Sequence, residues 1–370
     1  MDENNEFISN IVADELARKA GFKSTREHLD AILMAENGHM PLRSASAGAL
    51  AYGFNHRQMP VAYDVNREHF GLTFFSRPDL ALGGANCVRD RRMAMLMTKD
   101  RQNVQSFVRH TLDPDVTKEE GISCPLVDDL QPWIPLLTNT MISISGWPGL
   151  NASIGSTQPS RYGDVVNYYD GSIKELHREF NLSVNFQQMQ GKFSLTLLFY
   201  WLYAAKLFQA GILMPKPIHF AECSKNYDLR IIRFVLDPFK RYIVDWTAAE
   251  TAMIENIPIG EAYNSEVDTV FNTLQDEMTV SFRCTGYSPV DPRILKEFND
   301  LTVKFNPRMA DGLRNANYTK VDYEFLTIVN GEGYPWVNID TKELEWYVTP
   351  ERFKELLNRY QRIRNGAEKK

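Results

Sequence analysis

Seven histidines, four cysteines and a few adjacent carboxylates are the side chains of this sequence able to hold a metal or move a proton. His28, His39, His56, His69, His110, His177 and His219 are dispersed and show no paired ligand spacing. His69 beside Glu68 and His177 near Glu175 come nearest to a metal-ligand pair, and Asp128 with Asp129 offers paired carboxylates. Satisfied or surface histidines, and a solvated helix start ahead of Pro132, account for the same residues more simply. The basic cluster RDRRM, Arg89 to Met93, has the charge to touch phosphate, although a solvated face or an inter-subunit salt bridge is its commoner use. Trp133, Trp147, Trp201, Trp246, Trp336 and Trp346 lie on separate elements, which favours core and interface anchors over a sugar platform.

Cys87, Cys124, Cys223 and Cys284 form no CxxC pair and read as free, buried thiols of a protein made in a reducing cytoplasm. There is no phosphate-binding GxxxxGK[ST] loop, GxGxxG, HExxH, GxSxG elbow or EF-hand spacing. No catalytic, cofactor-binding or metal-binding residue is therefore assigned. An enzyme reading would rest on a dispersed cytosolic site around His69, Asp128 and His177.

The chain that must position these groups has 370 residues, 44% apolar, 24% charged and 12% aromatic, enough for one elaborated domain or two to three smaller ones. Lys+Arg number 41 against 47 Asp+Glu, and the formal charge of -6 predicts no general attraction to nucleic acid. The opening MDENNEFISN is acidic and polar, unlike a signal peptide, so synthesis in the cytosol without export is expected.

The most apolar run is Phe193 to Pro217. Thr196, Tyr200, Tyr203 and Lys206 recur at helical spacing on one side, with Leu198, Trp201, Leu202, Ala205 and Phe208 mostly opposite. A span in lipid would be apolar all round, so a bounded helix over Ser194 to Ala210 is expected, with no membrane insertion. Ser194 is its expected N-terminal cap, Gly211 its left-handed C-terminal residue, and Pro215 and Pro217 block its resumption.

Around it the pattern is of strands. Leu182, Val184 and Phe186 alternate with Ser183, Asn185 and Gln187, and Met278, Val280, Phe282 and Cys284 alternate with Thr279, Ser281 and Arg283. GLTFFSRPDLAL from Gly71, IHFAEC from Ile218 and DLRIIRFVL from Asp228 add strands, the last paired with RYIVDWTAA across the turn DPFK. DRQNVQSFVRHTLDPD reads as a helix stopping at Pro114. Asn151 to Gly171 reads as a large exposed loop with Asp170 and Gly171 as its turn. A hairpin around Gly331 and Gly333, the strand LEWYV and a helix from Pro350 complete the chain.

The fold class expected is α+β: a mostly antiparallel β-sandwich or half-barrel, one face wet and the other covered by the long helix. Residues 1–60 form an N-terminal helix, introduced by a Ser24/Glu27 capping box, and an extended arm from Gly38 to Pro60. Residues 61–310 form the main domain with an insertion at 124–179, and 311–370 a C-terminal hairpin and helix module.

FFSRPDL from Phe74, FVRHTLDPD from Phe107, SISGWPG from Ser143, RFVLDPFKRYI from Arg233 and FRCTGYSPVDPRILKEFN from Phe282 resemble virion structural proteins of tailed bacteriophages. The element order is similar to the tail-tube fold of tube subunits, baseplate tube initiators and tube-capping proteins. That resemblance implies a homo-oligomeric, usually hexameric, ring in the virion tail, meeting other tail, baseplate or neck proteins and passing DNA without tight binding. It implies no enzyme activity and no cofactor. The insertion and the C-terminal module favour an elaborated baseplate or tail-end ring.

Overall fold

Alternating apolar residues build a sheet whose two faces are used differently along its width. The computed structural model describes residues 70–149, 152–156, 168–173, 179–189, 191–218, 227–260, 277–322, 325 and 333–367. In chain order the elements are β1 (Phe70–Phe75), α1 (Val104–Leu112), α2 (Val116–Glu120), α3 (Pro135–Thr140), β2 (Met141–Ser145), β3 (Ala152–Ser156), β4 (Tyr168–Ile173), β5 (Phe180–Gln187), α4 (Phe193–Gln209), β6 (Leu229–Leu236), β7 (Ile243–Asn256), β8 (Glu277–Pro289), α5 (Pro292–Phe305), β9 (Thr319–Lys320), β10 (Tyr334–Val337), β11 (Leu344–Val348) and α6 (Pro350–Ala367). Six strands in the order β1-β6-β7-β8-β5-β2 form a curled half-barrel, antiparallel from β6 to β2. The class is α+β, as expected.

Leu182, Val184 and Phe186 pair with Phe282, Val280 and Met278, and all six are buried on one face. They share a core with Leu197, Leu198, Trp201 and Ala204 of α4. Trp201 is 2% exposed and its Nε1 donates to the Tyr227 carbonyl at 2.9 Å, while Lys206 is exposed and reaches Gln209. Tyr200, placed on the polar stripe by spacing, is buried as well, so the helix is enclosed on more of its circumference than the pattern implied. Among the described residues no helix is long and apolar enough to cross a membrane.

The ends of α4 divide the expectations. Gly211 has φ 73°; its N–H donates to Phe208 O and that of Ile212 to Leu207 O, the paired bonds of a Schellman stop. Ser194 does not cap: Lys192 holds the capping position in left-handed geometry, and the Ser194 hydroxyl is buried without a hydrogen-bond partner.

A single wet face was expected across the whole sheet, and the structure corrects this. Ile231 and Ile232 point to opposite faces, each into a core. The second core joins Phe74, Phe234 and Trp246 to Phe298 of α5 and to Val337 and Leu344 of the β10–β11 hairpin. Trp133 stacks on Phe298 at 4.5 Å between ring centroids. Only towards β5 and β8 does that face turn polar.

Other local readings shift too. Asp170 and Gly171 lie inside β4, where Asp170 faces Ile154 of β3, because strand pairing overrides a two-residue turn signal. No helix starts at Asp128; the helix there begins at Pro135. The described C-terminal hairpin turns between Val337 and Leu344. The N-terminal helix and arm, IHFAEC beyond Ile218, and the segment around Gly331 lie outside the described residues.

Gly146, just after β2, has φ 103°, and a Cβ there would sit 2.2 Å from the Asn181 carbonyl oxygen. Gly146→Ala is therefore expected to cost more than about 1 kcal/mol and to speed hydrogen exchange of the β2 amides. Unchanged stability and protection would show that β2 does not depend on this close approach.

Candidate functional site

The residues singled out for chemistry are engaged elsewhere or lie outside the described chain. His69 and His177 are in the second group. Asp128 accepts the Tyr334 hydroxyl at 2.6 Å and the Leu130 N–H at 3.0 Å, bracing β10 rather than pairing with a histidine. His110 is buried, with Nδ1 2.8 Å from the Ser106 carbonyl and Nε2 2.9 Å from that of Ile122. Of RDRRM, Arg89 donates to the Ile212 carbonyl, Arg92 lies over the Tyr203 ring, and Asp90 accepts the Tyr203 hydroxyl. The cluster thus ties its turn to α4. Cys87, Cys124 and Cys284 are free and buried, and burial pushes the thiols of Cys87 and Cys284 up to about 11 and about 12, far from a reactive thiolate. Cys223 lies outside the described residues.

Spacing alone missed the charged cluster around Lys216. Its ammonium lies 2.6 Å from Asp79, 2.9 Å from Asp113 and 2.8 Å from Asp115. These three carboxylates converge closely enough for a metal, yet the ammonium fills their centre. Burial alone would depress Lys216, but the carboxylates outweigh it and hold the ammonium above the usual lysine range. Burial pushes the Asp113 carboxyl up, against the pull of Lys216. Nearby, Arg77 donates to the carbonyls of Thr111, His110, Asp128 and Gln131. Burial pulls it down to about 10 despite the surrounding aspartates. With its ammonium bound by three carboxylates, Lys216 is poorly placed to act as nucleophile or base. The network's work is to join β1, the end of α1 and the segment after α4.

The surface with unmet bonding capacity is at the far side of the sheet. The C-terminal end of β1 is closed: Ser76 bridges Trp133, Arg77 N–H donates to the Pro132 carbonyl, and Ile134 N–H to that of Phe75. Among the described residues no strand pairs with the outer edge of β2, where Ile142 is 50% exposed and Ser143 and Ser145 are exposed. An edge of this kind accepts another strand. Beside it, Asn181, Ser183 and Asn185 of β5 stand opposite Arg283, Ser281 and Thr279 of β8. Glu179 pairs with Arg283, and Asn185 donates to Glu277 at 2.7 Å, so among these residues the face is hydrophilic and its one cation is matched by a carboxylate.

Residues 28–362 match a family model described as "Putative phage tail tube protein". No curated protein matches the chain. Among solved structures, the tube-terminating cap of the anti-feeding prophage is similar at 10% identity and a TM-score of 0.25, over 43% of this chain and 81% of that one. A likeness so slight carries no argument.

Proposed function

We propose that this chain, which belongs to the phage tail tube protein family, closes into a hexameric ring around the DNA channel of a phage tail. A structural role in the tail is the family's; the ring, the copy number and the channel are the proposal. The observation that carries it is the asymmetric sheet, with the C-terminal end of β1 bonded to residues 132–134 and the outer edge of β2 without a strand partner among the described residues. A sixfold ring is joined head to tail, so the β2 edge of one copy is covered by a different surface of its neighbour, which removes the exposed hydrogen-bonding groups that a lone sheet would leave to uncontrolled pairing. The hydrophilic face of β5 and β8 then lines the channel. With no row of cations to take the place of the counterions condensed on DNA, the face gives duplex little to hold it, and duplex slides past.

The division into an arm at 1–60, a main domain at 61–310 with its 124–179 insertion, and a module at 311–370 belongs to the same proposal. It favours a baseplate or tail-end ring over the repeating tube.

Cryo-electron microscopy of particles carrying a tagged copy tests this. The tag is expected on a closed ring in the tail with a lumen of about 20 Å or more, and the purified protein should bind duplex more weakly than the roughly 10⁻⁴ to 10⁻⁶ M of ordinary non-specific binders. A tag outside the tail, tail density with no ring, or micromolar duplex binding would overturn the reading.

A further inference from the structure

Two segments at the C-terminal end of α4 build an apolar surface that the sheet does not use. The Asn86 side chain donates to the Met214 carbonyl at 2.7 Å and accepts the Met214 N–H at 3.1 Å. Arg89 reaches the Ile212 carbonyl, and a Cβ at Gly84 would lie 3.1 Å from the Met97 methyl carbon. Val88, Met97, Ile212 and Met214 therefore share one surface, and all are exposed, Val88 by 69% and Met214 by 59%. Exposed apolar side chains grouped this way mark an interaction site, and methionine adapts to an irregular partner. The segment 84–101 that carries much of this surface is basic, with Arg89, Arg91, Arg92, Lys99 and Arg101 against Asp90 and Asp100, while Glu119 and Glu120 stand beside Gly83 and Gly84.

The complementary segment is in the same sequence. Residues 2–16 carry Asp2, Glu3, Glu6, Asp14 and Glu15 and no basic residue, with Phe7, Ile8, Ile11 and Val12 at the spacing of one helical face. They precede residue 28, where the family match begins. We infer that residues 2–16 of a neighbouring copy dock on this surface, apolar face against the methionines and acids against the arginines. The occupant is assigned to a neighbouring copy because the proposed ring brings copies together, so this step rests on that assembly.

A fluorescent peptide of residues 1–20, titrated into the full chain, tests the contact without requiring a ring. Saturable binding is expected, weakened about tenfold or more by Met214→Asp or Arg91→Glu and by added salt. Both sites are exposed, so unchanged circular dichroism and urea midpoints should show that the fold survives. A peptide with its five acids replaced by lysine should not bind. Equal binding by either variant or by the reversed peptide, or no binding of the native one, would overturn the inference. Deleting residues 2–16 in the particle separates it from the parent reading. Rings that form with unchanged yield and stability sink the docking alone, whereas wild-type particles without rings sink the ring proposal whatever the peptide does.

Discussion

Trp201→Ala is expected to lower the free energy of unfolding by about 3–5 kcal/mol, measured by urea denaturation. The indole is 2% exposed and sits in the core that α4 shares with the sheet, so truncation leaves a cavity bounded by strands that cannot collapse into it. It also removes the 2.9 Å bond to the Tyr227 carbonyl. That bond matters locally because Tyr227 stacks on Phe208 of the same helix, with centroids 4.9 Å apart. Trp201→Phe separates the two effects: it restores most of the volume but not the donor, and should fall between wild type and alanine. A loss under about 1 kcal/mol for the alanine variant would mean that α4 is peripheral to the fold.

The strands of this fold were legible because burial acts directly on a period of two. Leu182, Val184 and Phe186, and Met278, Val280, Phe282 and Cys284, had to face a core, and they do. The stop of α4 at Gly211 was legible for a similar reason, since few residues tolerate its positive φ. Signals that depend on what comes to lie opposite were not. Asp170–Gly171 is a turn dipeptide until β3 pairs with it, and Ser194 is a good cap until the chain enters the helix through Lys192. The second covered face was hidden because adjacent buried residues such as Ile231 and Ile232 erase the alternation over a two-sided sheet. The charged cluster was hidden in plain view. Arg77 and Asp79 lie in FFSRPDL, Asp113 and Asp115 in LDPD, and Lys216 between two prolines; nothing in their separations reveals that they meet.

That meeting predicts the second large effect. Lys216→Met should destabilise the protein by about 3–5 kcal/mol at neutral pH, the usual cost of breaking a buried ion pair from one side. Asp79 and Asp115 keep 21% and 34% of their side-chain surface and can turn to water, but the Asp113 side chain has no exposure. Among the described residues it would retain the N–H groups of Leu82 and Asp115. Burial already pushes the Asp113 carboxyl up, and losing the ammonium removes an opposing influence, so its folded-state pKa should rise further. The folded variant then binds a proton more readily than the unfolded chain, whose aspartate titrates near about 3.9. Its stability relative to wild type must therefore improve as pH falls through the raised value towards about 4. In wild type the ammonium keeps the rise at Asp113 smaller, and at Asp115, where burial is outweighed by hydrogen bonds from Lys216 and Lys118, the lowered pKa gives a contribution lost only as pH falls below about 4. The gap between the two proteins should thus be smaller at pH 5 than at pH 7, and Asp113→Asn added to Lys216→Met should recover much of it at pH 7. A gap that is independent of pH, with no rescue by asparagine, would show that the lysine acts through its packing and not through the charge it neutralises.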